Sequence, residues 1–236
     1  MGCSGNVYRQ AAIQVNSMSK IILTTFTDPM MGLTYECEPI YDKLKKKYQD
    51  NIEFRFVMAG LVRDVSDFMN EYELSFSTEK GIEEYCKRLV GIYKSEEKIG
   101  GLPMNMDNFH LFDADHRSSY PLNIAYKAAQ LAAPELAEQF LIKLRHATVL
   151  EGRQTTLISE LYAIAEETGI EKDAFEKVYS DGSAEKAFDE DLIYTRSLGI
   201  YSLPAYIIES GYTKYMIKQL ASYETIVGAI DLISNS

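Results

Sequence analysis

Apolar positions change their spacing twice along the chain, and those changes mark its regions. Residues 20–27 (KIILTTFT) are β-branched and aromatic with almost no charge, the composition of a short strand buried inside a parallel or mixed sheet. Asp28-Pro29 ends the run. From Gly32 to Tyr48 the residues Tyr35, Ile40, Leu44 and Tyr48 recur at helical spacing with Pro39 between them, which predicts a helix kinked near that proline. A second strand follows at 52–58 (IEFRFVM), completing a strand, helix, parallel strand unit.

From about Arg63 to Asp191 helical periodicity takes over. Segments near 64–74, 79–96, 119–132, 134–149, 154–168, 171–180 and 183–198 are separated by Gly, Pro, Ser and Asp. Ser118-Ser119 reads as a loop feeding a helix through an N-cap serine, and Thr155-Thr156 as another helix start. After Gly199 the period returns to two. Residues 205–208 predict a strand, 209–212 a turn and 213–217 its hairpin partner, with a last helix over 222–233.

Composition narrows the function classes. A chain of 236 residues with 46% hydrophobic content can bury a sizeable core. Its 35 acidic against 24 basic residues, net charge -11, argue against a nucleic-acid partner. The triplet Lys45-Lys46-Lys47 reads as the solvated face of a helix. With neither a signal-peptide core nor a long apolar run, a soluble cytoplasmic protein without membrane contact is expected. Residues 1–19 read as a flexible leader; Asn6 stands where an acylation pattern wants Ser or Thr.

Cys3, Cys37 and Cys86 fit no zinc or disulfide spacing and read as free thiols. His110, His116 and His146 lack paired helical spacing, so no metal site is expected. Met30, Met31, Met104 and Met106 read as core filler, with the adjacent pair at 30–31 expected to be partly exposed at a helix start.

The order β-α-β, helices, β-β-α, together with specific residues, resembles the DsbA-like thioredoxin family, in particular the short bacterial cytoplasmic members of FrnE or dithiol-disulfide isomerase type. Thr27-Asp28-Pro29 and Glu38-Pro39 carry the first part of the match. Ser118-Ser119-Tyr120-Pro121, Glu151-Gly152-Arg153, Ala165 to Ile170, and Leu198 to Pro204 carry the rest. The resemblance covers about Ile21 to Ile233 and implies an α/β thioredoxin fold: residues 20–62 and 192–236 form the thioredoxin-like unit and 63–191 an inserted all-α helical domain.

In the family pattern two cysteines follow Asp-Pro as x-Cys-x-x-Cys-Tyr. Here the frame is Met30-Met31-Gly32-Leu33-Thr34-Tyr35, which puts Met31 at the attacking cysteine and Thr34 at the resolving one. A thioether has no ionisable proton, so disulfide exchange at this turn is excluded. Cys37 comes a turn too late to gain from the helix N-terminus and reads as a packed core thiol. Pro204 matches the family's cis-proline, which implies that Leu203 presents its backbone to an extended ligand. The implied site is a groove between Met31, Gly32, Leu33, Thr34 and Leu203-Pro204 that binds a peptide segment or a small thiol compound without exchange; no cofactor is required, and glutathione fits as a ligand. Two alternatives stay open, a glutathione-dependent transferase or isomerase of kappa type, and residual oxidoreductase activity through Cys37.

Overall fold

The computed structural model describes residues 20–107 and 109–234, so the acylation question and Cys3 lie outside the described residues. A four-stranded sheet has the order β2-β1-β3-β4. Its strands are β1 (Ile21–Thr27), β2 (Ile52–Met58), β3 (Ala205–Ser210) and β4 (Thr213–Ile217). β1 runs parallel to β2 in the register Ile21↔Ile52 to Thr27↔Met58, and antiparallel to β3 with Phe26 opposite Ala205. A strand paired on both sides and covered on both faces has little use for polar residues, which explains the composition of IILTTFT.

Side-chain alternation divides that strand between two apolar clusters. Ile21 and Leu23 join Phe56, Met58, Tyr206 and Ile208 in the main core, while Phe26 points the other way with Val57, Ile200, Ala205 and Ile207. The main-core face is packed by α2 (Glu38–Tyr48) and α10 (Tyr223–Ser234). α9 (Ser183–Ser197) approaches the opposite face, where Tyr194 meets Phe26 with ring centroids 5.6 Å apart.

Between β2 and β3 the chain is helical: α3 (Glu71–Leu74), α4 (Thr78–Gly100), α5 (Tyr120–Ala132), α6 (Ala137–Val149), α7 (Ile158–Thr168) and α8 (Lys172–Ser180) precede α9. The expected helix over 32–48 is two helices, α1 (Gly32–Glu36) and α2, joined at Cys37. The break falls before Pro39, which occupies the first turn of α2, where its missing N–H costs nothing. The segment at 64–74 is likewise a 3-10 turn (Val65–Asp67) and the short α3, which starts with a capping box between Asn70 and Glu73.

Two helix starts differ from expectation. α7 begins at Ile158, because Thr155 and Thr156 spend their hydroxyls elsewhere: Thr155 pairs with Thr148 at 2.7 Å, and Thr156 donates to the Leu111 carbonyl at 2.6 Å. Ser119 stands at the N-cap of α5 without a side-chain cap bond, since its hydroxyl donates to Asp28 at 2.6 Å, and the Ser118 hydroxyl instead accepts from the Tyr120 N–H at 3.1 Å.

Candidate functional site

The turn after β1 is organised by an acid. Asp28 is fully buried, and its carboxylate accepts from the Met30 N–H (3.1 Å), the Leu61 N–H (2.7 Å), the Ser119 hydroxyl (2.6 Å) and the Asn123 amide (2.8 Å). Burial pushes its carboxyl above the ordinary value, and those four donors oppose the rise. The donors come from the turn itself, from the segment after β2 and from α5, so one side chain ties the end of β1 to the helical region.

Met31 then occupies the N-cap of α1 with extended backbone and no side-chain cap bond. Met30 and Met31 are buried, 2% and 6% exposed, against the expectation of partial exposure. The cause is α4. Tyr93 donates its hydroxyl to the Met30 carbonyl, and a Cβ built on Gly32 would lie 2.3 Å from Glu96 Oε2, 2.6 Å from Tyr93 Cδ1 and 2.9 Å from Met104 Cε. Only a glycine lets α4 come this close. Farther along, Tyr35 donates to the Pro103 carbonyl at 3.1 Å, and Glu36 accepts from the Leu102 N–H at 3.1 Å.

Thr34, at the second expected cysteine position, is fully buried, and its hydroxyl pairs with Thr27 at 2.8 Å. The Thr27 hydroxyl also lies 4.0 Å from Met31 sulfur. Thr34 is therefore engaged with a neutral hydroxyl, and no base activates it. Among the described residues no cluster of His, Cys, Asp and Glu is placed to hold a metal ion.

Cys37 is 2% exposed, with its sulfur 3.7 Å from the Tyr206 hydroxyl. Burial raises its pKa, against smaller opposing effects from Tyr206 and Arg145. That is the wrong direction for a thiolate nucleophile. Cys86, on α4, is also buried, and its pKa is raised by burial. Two histidines assigned no role have carboxylate partners: His146 sits 2.7 Å from Glu38, which also accepts from the buried Arg145, and His116 sits 2.9 Å from Asp113. Arg117 forms a two-pronged pair with Asp64.

Glu96 escaped the sequence reading. Its Oε2 is buried without a hydrogen-bond partner among the described residues, and the carboxyl is pushed up to about 7 by burial and the nearby Glu36. Sequence periodicity placed Glu96 on a helix; nothing local shows that this helix covers a turn more than sixty residues earlier in the chain.

On the other side of the turn lies the Leu203–Pro204 peptide bond, which is cis. The pairing of Phe26 with Ala205 makes this dipeptide and the Asp28 turn leave the same end of the sheet. Of the six residues expected to line a groove, Leu33 and Leu203 are partly exposed, while Met31, Gly32, Thr34 and Pro204 are buried. Next to Leu203, Tyr201 is 91% exposed and borders a cavity of about 410 Å³ with Gly60, Tyr120, Leu192 and Arg196.

A thioredoxin family model matches residues 24–227. The chain belongs to the thioredoxin family. Curated relatives within reach of this thioredoxin-family chain are ClpXP adapter proteins SpxH. The protein from Shouchella clausii is 28% identical over 78% of this chain and 56% of its own length, and that from Halalkalibacterium halodurans is 26% identical with the same coverage. The chain thus spans little more than half the length of these relatives. Among solved structures, a putative protein disulfide isomerase from Nitrosomonas europaea superposes with a TM-score of 0.73 at 17% identity, covering 90% of this chain and 97% of that one. The cytosolic disulfide reductase DsbM from Pseudomonas aeruginosa, with GSH, gives 0.62 at 18% identity over 91% and 96%. These similarities establish the DsbA-like form of the thioredoxin fold. No helix among the described residues is long and apolar enough to cross a membrane.

Proposed function

We propose that this chain is a thioredoxin-family binding protein that holds a segment of another protein beside Leu203-Pro204 and performs no dithiol exchange. The observation that carries the reading is the state of the turn: a thioether at position 31 and a hydroxyl at position 34, both buried, in place of a dithiol. Exchange needs a thiolate that can reach its target disulfide. Cys37, buried with a raised pKa, supplies neither access nor ionisation.

The relatives' name, adapter protein, fits a binding role for a protein partner, and the exposed Tyr201 beside partly exposed Leu203 offers an apolar shelf for an extended segment. Glutathione has weaker support, because the Thr34 hydroxyl that would meet its sulfur is paired with Thr27.

Insulin reduction tests the chemistry. The parent protein is expected to be inert, and Met31→Cys with Thr34→Cys is expected to form an intramolecular disulfide under mild oxidation, since the two positions share the first turn of α1. Reductase activity in the parent that disappears in Cys37→Ala would overturn the reading. Partner capture is tested with a photo-crosslinking side chain at position 203, expected to trap a polypeptide.

A further inference from the structure

A second cavity, of about 1020 Å³, opens away from the turn, between α4 and residues 106, 107, 109, 110 and 112–115. Its floor is apolar: Ile82, Cys86 and Val90 of α4 face Met106, Phe109 and Phe112. Core packing fixes that floor, because Ile82, Cys86, Met106 and Phe112 are buried. Cys86 donates to the Phe112 carbonyl at 3.6 Å, and Phe109 packs edge-on against Tyr93.

The rim is acidic on both banks. Glu79 and Glu83 stand one helical turn apart on α4, with Asp107, Asp113 and Asp115 opposite. Two of the five are already committed, Glu83 to Lys80 and Lys87, and Asp113 to His116 and Gln154. Glu79, Asp107 and Asp115 are exposed and form no ion pair among the described residues. Lys87, the single lysine on the lining, is held by Glu83 and Glu84.

We propose that this groove docks a basic amphipathic segment of another polypeptide, with apolar side chains on the floor and Lys or Arg residues at the two banks. An anionic occupant would bring like charge to three carboxylates, and a purely apolar one would strip water from them and return no partner. A small organic cation reaches one bank at a time. A second copy of this chain, with net charge -11, brings like charge to the rim. The volume stands at the upper end of the roughly 300–1,000 Å³ of ordinary ligand sites, room for several side chains together. This site shares no lining residue with the Tyr201 shelf, so it stands or falls independently of the function proposed above.

Fluorescence anisotropy with the full chain and a fluorescein-labelled helical peptide of Leu and Lys, apolar on one face, tests the proposal. Binding at physiological salt is expected to weaken about tenfold in the triple variant Glu79→Lys, Asp107→Lys, Asp115→Lys, whose positions are exposed and outside the core. Val90→Trp, which fills the floor, is expected to weaken it comparably. The triple variant Glu185→Lys, Asp189→Lys, Glu190→Lys on α9 makes the same charge change away from the cavity and is expected to leave binding within about twofold. Equal weakening by the two triple variants would reduce the effect to net charge and overturn the proposal. So would equal binding of a peptide with Ser in place of Leu, or no binding of the Leu and Lys peptide at all.

Discussion

The two sides of the turn after β1 are built differently. On the α4 side, Tyr93, Glu96, Met104 and the Leu102-Pro103 backbone close over Met30 to Glu36 through hydrogen bonds and apolar contact. On the β3 side, Leu203 and the almost fully exposed Tyr201 leave apolar surface open. A dithiol enzyme must expose its attacking sulfur to the target disulfide. Here the position that would carry that sulfur is sealed, and accessible surface persists on the side where a chain segment would lie. The proposed function rests on this contrast, binding on the open side without chemistry on the sealed one.

The largest test of that contrast removes what anchors the turn to both neighbours. Asp28→Ala takes the shared acceptor from four donors, leaving the Met30 and Leu61 N–H groups without one while Ser119 keeps the Val62 carbonyl and Asn123 the Ser119 carbonyl, and is expected to cost about 3 to 5 kcal/mol in urea unfolding. A loss under 1 kcal/mol, on the order of one ordinary hydrogen bond, would show that the turn is held by packing instead. Gly32→Ala attacks the sealed side alone. Its methyl would have to displace Glu96 and Tyr93, at about 1 to 3 kcal/mol, with faster hydrogen exchange across α1.

Glu96 makes the sealed side sensitive to pH. Its folded carboxyl is pushed up to about 7 from an ordinary 4.5, so the folded state keeps a proton that the unfolded state releases. Stability consequently falls as pH rises between those values and stays lower above them. Glu96→Gln cannot ionise. Since Glu96 is partly exposed, the variant is expected to exceed the parent by only on the order of 1 kcal/mol at alkaline pH, and to match it below about pH 4.5. Urea midpoints at the two pH values measure this, and a pH-independent difference would assign the effect to packing. The smallest stability effect belongs to the open side: Tyr201→Ala is expected to change unfolding by less than about 0.5 kcal/mol while lowering partner crosslinking through position 203. Unchanged crosslinking would move the binding surface elsewhere.

Strand and helix order was legible because periodicity is a local property. KIILTTFT announces a central strand, and the 205–217 hairpin follows from alternation on either side of the turn expected at 209–212, the first two residues of which belong to β3. That positions 31 and 34 carry no thiol is visible in the sequence alone. What stayed hidden depends on contacts between distant segments. Ser119 looks like a cap until Asp28 claims its hydroxyl, and Met30-Met31 looks exposed until Tyr93 and Met104 arrive from α4 and the loop after it. Helix continuity was also underdetermined at 32–48, where the chain turns at Cys37 while Pro39 sits harmlessly in the following first turn.

Asp28 also bears on how such a chain tolerates change. Its four donors sit at positions 30, 61, 119 and 123, and two of them are backbone groups that any residue but proline supplies. The burden of identity therefore falls on Asp28, Ser119 and Asn123. Positions 31 and 34 are outside that set, and a thioether and a hydroxyl satisfy them without disturbing it. A scaffold whose integrity hangs on a carboxylate can carry a thioether or a thiol at position 31 and keep its shape, which makes that position a place where substitution alters chemistry without altering the fold.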